Sequence, residues 1–340
     1  MTPAMVFVLL GVGLMAYVLT AGADFGGGVW DLLASGPRAA AQRQAIARAL
    51  APIWEVNHIW MIFVVVTSFT AFPRAFAIIS TALHLPLLLA LVGIVLRGSA
   101  FVFRAYGMQP DSIRERLGRV FAWASALTPV FLGMSLAAIS SGAIRVDARG
   151  YPSTGFFAGW TSPFALVVGL FALALFALLA ATYLAAEADA RGELELRDDF
   201  GRRALISEAV AGGLALLVLW RAWAESPLLF ANLLHASWSI PAQATTALIA
   251  AGAITMLASK RFRLARVLVI TQVALVVIGW GVAMDGYLIL PDVHMSAAGA
   301  EPAVLRPLPF VLLGGATLLV PALIWLFRVF KLSTGPASSE

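Results

Sequence analysis

Ala51-Pro52-Ile53-Trp54-Glu55-Val56-Asn57-His58-Ile59-Trp60 places a carboxylate, an amide and an imidazole at the start of a strongly apolar run that continues to about residue 72. A run of that length is read as a membrane-spanning helix. An ionisable group inside such a helix marks a functional site unless it is paired for structural reasons.

The rest of the chain supports a membrane setting. Of 340 residues, 61% are hydrophobic and 12% charged, and the mean hydropathy is +0.91, a composition foreign to soluble domains. Apolar runs predict spans near 4–24, 53–72, 78–102, 120–140, 161–186, 204–224, 242–259, 265–288 and 308–330. The expected fold is all-α: a polytopic membrane protein of about nine transmembrane helices. No hydrophilic stretch is long enough for a soluble domain, so residues 1–340 form a single integral membrane domain. Within it we expect two four-helix bundles, helices 1–4 (about 4–140) and 5–8 (about 161–288), with helix 9 (about 308–330) peripheral. The first run has no Lys or Arg before Arg38, so it reads as a retained helix and not as a cleaved signal.

Charge sets the expected orientation. Seventeen Lys and Arg fall on one side, in the segments around Arg38, Arg104, Arg197, Lys260 and Arg328, against five on the other, Arg74, Arg145, Arg149, Arg221 and Arg306. The positive-inside rule places the N-terminus outside and the C-terminus in the cytoplasm. The net charge of +5 needs no nucleic acid to explain it, because these cations flank helices beside anionic lipid. Cysteine is absent, which excludes disulfides, thiolate metal sites and iron-sulfur clusters.

Helix direction and a rise of 1.5 Å per residue fix approximate depths. Asp24 ends helix 1, Glu55 and His58 share one face near the start of helix 2, and Arg97 lies about two turns before Arg104 on helix 3. Asp24, Glu55 and Arg97 therefore share a level. A buried carboxylate must be paired or hydrated, so Arg97 neutralises Glu55, a wet channel reaches it, or both. The structural alternative is an ion pair that only fixes packing. His58 is either part of that path or a packed histidine hydrogen-bonded to a neighbouring helix. His84 enters helix 3 from the other side, and His235 and His294 fall near outer loops, so a bis-His haem site within the chain is disfavoured. No metal site is expected. Trp30, Trp160, Trp223 and Trp238 read as interface anchors, whereas Trp54 and Trp60 flank the polar cluster. Gly26-Gly27-Gly28 has no preceding strand and no following Lys, so it is no phosphate loop; it marks a turn or a close helix approach.

Thr20-Ala21-Gly22-Ala23-Asp24-Phe25-Gly26-Gly27-Gly28, Arg43, the 51–60 stretch, Phe72-Pro73, Arg97, Phe101 and Arg104 together resemble the N-terminal third of subunit II of cytochrome bd-type quinol oxidases. Further on, the resemblance rests on helix count and on Asp285-Gly286-Tyr287-Leu288 to Pro291. It implies a respiratory complex of the bacterial cytoplasmic (inner) membrane that oxidises quinol and reduces oxygen to water. The partner would be a haem-bearing subunit I carrying haem b and haem d, joined by small single-helix subunits. This chain would bind no haem itself, would support assembly of subunit I, and would have room for a structural quinone or lipid. Carried over by position, Glu55 is a proton relay from the cytoplasm, Trp54 its wall, Arg97 its electrostatic partner and Asp24 an entrance or structural residue. Some relatives carry acids where this chain has Ala21 and Val102, so its path would lean on water, His58 or the other subunit.

Two other readings stand beside this one. A secondary transporter would use Asp24, Glu55 and Arg97 as a coupling-ion site, but it calls for midplane polar groups in both halves, and helices 5 to 9 look poor in them. A quinol-binding membrane anchor of another respiratory complex would need a soluble redox partner.

Overall fold

The computed structural model describes residues 2–50, 54–106 and 110–332, with the side chains of Leu50, Trp54, Glu55, Val56, Ala105, Tyr106, Asp111, Val320 and 326–332 outside the description. The chain is helical almost throughout. Among the described residues eight helices are long and apolar enough to cross a membrane, or nine when one bent pair counts as a single span.

α1 (Pro3–Leu32) starts at Thr2, whose hydroxyl accepts from the Met5 N–H, a side-chain cap for an otherwise unpaired donor. It does not stop at Asp24 as hydropathy suggests but runs two turns further. The Gly-rich segment stays helical and brings neighbouring helices close. A Cβ on Gly26 would lie 1.9 Å from the Phe176 carbonyl oxygen, and one on Gly28 would lie 2.2 Å from the Ser125 side chain. α2 (Ala39–Leu50) carries Arg43 and Arg48 and follows a short turn. α3 (Trp54–Ala71) ends where Phe72 leaves helical geometry ahead of Pro73, and α4 (Pro73–Ala82) departs at 117°. The predicted third span therefore begins later, as α5 (His84–Tyr106). α6 (Asp111–Ser141) ends at Gly142 in the left-handed region, φ 79°, where glycine is favoured.

α7 (Pro163–Ala190) is capped by the Ser162 hydroxyl and is the most enclosed helix, packed against α1, α6 and α8 (Leu194–Glu225). α9 (Pro227–His235) is short, and α10 (Ser239–Ala258) and α11 (Phe262–Ala283) form an antiparallel pair. α11 ends before Asp285, five residues short of the predicted end of that span. A two-stranded hairpin follows, β1 (Tyr287–Ile289) with β2 (Val293–His294), then α12 (Met295–Ala298), α13 (Pro302–Leu305) and α14 (Leu308–Leu332).

Two ends of the molecule are stitched differently. At the basic end, Arg38 bonds Asp199 at 2.6 and 2.9 Å, Arg48 bonds Glu193 at 2.9 Å and Arg203 reaches Gln42 at 2.7 Å, which ties the α1–α2 junction to α8. At the hairpin end, Arg145 pairs with Asp292 at 3.0 Å, Leu290 N–H donates to the Ile139 carbonyl and Ala300 N–H to the Ala71 carbonyl. Trp30 and Trp160, expected at the lipid interface, are both 7% exposed. Trp30 Nε1 instead donates to the Ala177 carbonyl on α7 at 2.8 Å, whereas Trp223 is 65% exposed.

Candidate functional site

The polar centre of the N-terminal half is built on α1, α3, α5 and α6. Asp24 is 1% exposed and Arg97 3%, and they form an ion pair in which Arg97 Nη2 also reaches the Asp24 carbonyl at 3.3 Å. Asn57 Nδ2 donates to Asp24 Oδ2 at 2.7 Å. On its other edge Arg97 Nε donates to Ser125 Oγ at 2.9 Å, and that hydroxyl in turn donates to the Phe121 carbonyl at 2.7 Å. The guanidinium lies between the Phe25 and Phe121 rings, 4.8 and 5.0 Å from their centroids. Each of these partners offsets part of the cost of taking a cation out of water.

The sequence placed Arg97 opposite Glu55, whose side chain lies outside the described residues; among those described, Arg97 pairs with Asp24. Arg97 is reachable because α1 and α5 run parallel in a fixed register. Two turns further along both helices, Arg104 Nη1 bonds Asp31 Oδ2 at 3.1 Å. Asp24 with Arg97 and Asp31 with Arg104 are each 73 residues apart, so the repeated offset is a sequence-level signal of two rungs. Asp31, 5% exposed, was missed although that spacing could have found it. Tyr17, Phe121 and Ser125 carry no such signal.

A small cavity adjoins the pair, lined by Tyr17, Asp24, Asn57, His58, Met61 and Arg97 among others, with about 10 Å³ open to the centre of a water molecule, room for about one water. Two buried polar atoms here, the Tyr17 hydroxyl and Asn57 Oδ1, have no hydrogen-bond partner among the described residues. Polar groups of that kind are where bound water sits in proteins. The structure thus gathers Asp24, His58 and Arg97 of the predicted set, adding Asn57 and Tyr17. The side chains of Trp54 and Glu55 lie outside the described residues; their backbone forms the first turn of α3, three and two positions before Asn57.

The second half, read as poor in midplane polar groups, holds a buried polar pair of its own. Glu208 on α8 and Gln272 on α11 are buried and hydrogen-bonded at 2.6 Å. Among the described residues no three His, Asp or Glu side chains converge as metal ligands. His84, at the start of α5, bonds the Thr81 carbonyl, and His294 bonds Ser296.

Comparison with known proteins agrees with this architecture over nearly the whole chain. Residues 2–330 match the family model described as cytochrome bd terminal oxidase subunit II. The chain is 24% identical, over 322 residues that cover 92% of it and 91% of the relative, to the Bacillus subtilis (strain 168) protein named as a cytochrome bd menaquinol oxidase subunit II. It is 27% identical to cytochrome bd-I ubiquinol oxidase subunit 2 of Escherichia coli (strain K12) over 199 residues, 56% of this chain and 50% of that one. A chain in the bd oxidase structure from Geobacillus thermodenitrificans has the same fold, with a TM-score of 0.75 at 22% identity, covering 96% of this chain and 98% of the other. The chain, a multi-pass membrane protein, belongs to the cytochrome bd terminal oxidase subunit II family.

Proposed function

We propose that this chain is the haem-free subunit of a complex in the bacterial inner membrane that oxidises quinol and reduces oxygen to water. It supports assembly of a haem-bearing subunit I and delivers protons to it. The basic end faces the cytoplasm, which puts the N-terminus outside. Haem b and haem d reside on subunit I, and small single-helix subunits and a structural quinone or lipid complete the assembly. The observation that carries the proton-delivery reading is the buried Asp24–Arg97–Asn57 network beside a water-sized cavity that His58 also lines. A proton path needs groups that bind and release hydrogen-bonded protons in series. His58 and the cavity supply such a series next to the α3 turn that carries Glu55 and Trp54. Arg97 keeps a positive charge beside that series, and its clamp by Asp24 and Ser125 holds the charge in place.

The test is a reduced-minus-oxidised absorbance spectrum of the complex isolated from native membranes through a tag on this chain. The spectrum is recorded again after detergent removes the partners. Haem bands should co-purify and then leave with a partner of this chain. Haem retained by the isolated chain would make it a cytochrome in its own right. No haem at either stage would favour the transporter reading. Haem bands that accompany a soluble redox partner would point to a membrane anchor of another respiratory complex.

A further inference from the structure

The C-terminal half holds a buried acid that the proton-delivery reading does not use. Glu208 on α8 is 3% exposed and Gln272 on α11 is 7% exposed, and Gln272 Nε2 donates to Glu208 Oε1 at 2.6 Å. Each residue lies deep in its helix, about 21 Å along α8 and about 15 Å along α11 from their first residues. Apolar neighbours pack along the same helices: Ala211 on α8 and Val269 and Val273 on α11 are buried in one cluster together with Leu178 of α7. Among the described residues no Lys, Arg or His pairs with Glu208. The nearest cation on α11 by sequence, Arg266, stacks on the Tyr183 ring at 5.9 Å.

The pair is short of hydrogens. Glu208 Oε2 and Gln272 Oε1 are both buried acceptors with no donor among the described residues. An ionised carboxylate offers only acceptors, so in that state both oxygens stay unsatisfied and an uncompensated charge is held in apolar surroundings, which proteins avoid. One proton on Glu208 Oε2 cures both faults. It removes the charge and supplies the missing donor, and its natural acceptor is Gln272 Oε1, because the amide already donates to the other carboxyl oxygen. The two groups then close an acid–amide ring with two parallel hydrogen bonds.

We infer that Glu208 and Gln272 form an intramembrane proton-binding site, in which Glu208 is a neutral carboxylic acid closed onto the Gln272 carboxamide, tying α8 to α11 without charge. The site is separate from the Asp24 network and does not depend on the role proposed for it. A bound sodium ion would be a different answer to the same deficit, but a cation calls for a shell of several oxygens in place of one hydrogen, and this pair leaves only two unengaged.

Infrared spectroscopy of the assembled complex tests the assignment. Glu208→Gln keeps a two-bond ring, now amide to amide, so assembly is expected to persist. The wild-type minus Glu208→Gln spectrum should show the loss of one protonated-carboxyl C=O band. Gln272→Met removes the partner and keeps the acid, and should move that band to higher frequency as its hydrogen bonds are lost. This second variant carries the test if Glu208→Gln does not assemble. Loss of carboxylate bands in place of the carboxyl band would overturn the inference. So would a carboxyl region that neither variant alters, or a carboxylate band that follows sodium concentration.

Discussion

Replacing the Asp24 carboxylate by a neutral amide would leave Arg97 wedged between two phenyl rings with no counter-charge among the described residues, only neutral acceptors such as Ser125 and a backbone carbonyl. An unpaired buried charge is costly, so Asp24→Asn is expected to destabilise the assembled subunit by about 3–5 kcal/mol. Asp24→Asn combined with Arg97→Gln should recover much of that loss, since no lone charge remains. Thermal retention of the intact complex, compared across the two single variants and the double, measures the coupling. Additive losses would mean that the two side chains do not act as a pair. At this scale the sequence was partly readable. Charges inside apolar runs singled out Asp24 and Arg97, and helix depth put them on one level. What it could not establish was the contact between Asp24 and Arg97, because depth puts Glu55 and Asp24 on one level and helix rotation, not depth, decides which side chains meet. Glu208 falls inside the predicted 204–224 span, but its partner Gln272 lies 64 residues away on another helix and is uncharged, so neither charge nor hydropathy singled out the pair.

At the scale of elements, close helix contact explains why α1 outruns its apolar stretch. Gly22 and Gly26 are one turn apart and both face α7, while Gly28 faces Ser125 on α6. Small residues let backbones approach where no apolar driving force separates helix from lipid. Asp24 and Asp31 remain in the helix because parallel α5 delivers an arginine to each. A methyl group at residue 26 would overlap the Phe176 carbonyl, so Gly26→Ala should push α1 from α7 and lower the yield and thermal midpoint of the assembled subunit. Gly212→Ala meets nothing within 4 Å among the described residues and should be neutral or stabilising by up to about 1 kcal/mol through helix propensity. Equal behaviour of the two variants would argue against the close approach. Number and order of spans were legible from hydropathy. Ends were not, where a cap, a turn or tertiary contact governs them: Phe72-Pro73 bends the second span into α3 and α4, and Gly142 stops α6 by its left-handed backbone.

Over the whole molecule, polar chemistry is concentrated at the two ends and at two interior sites, one in each half. Charge counting located the basic end but could not foresee its cross-links, because Arg38–Asp199 and Arg48–Glu193 join residues well over a hundred positions apart. Apolar side chains cover the outside; Phe310 and Leu318 on α14 are each 77% exposed, a surface suited to lipid or to another membrane subunit. The most direct measurement is oxygen consumption with proton uptake by the purified complex, wild type against Glu55→Gln, at matched haem content by spectrum. A loss of roughly tenfold or more in both rates, with haem bands unchanged, is expected if protons pass this subunit, since removal of a proton-transfer group typically costs that much or more. Wild-type rates in the variant would contradict proton delivery through Glu55.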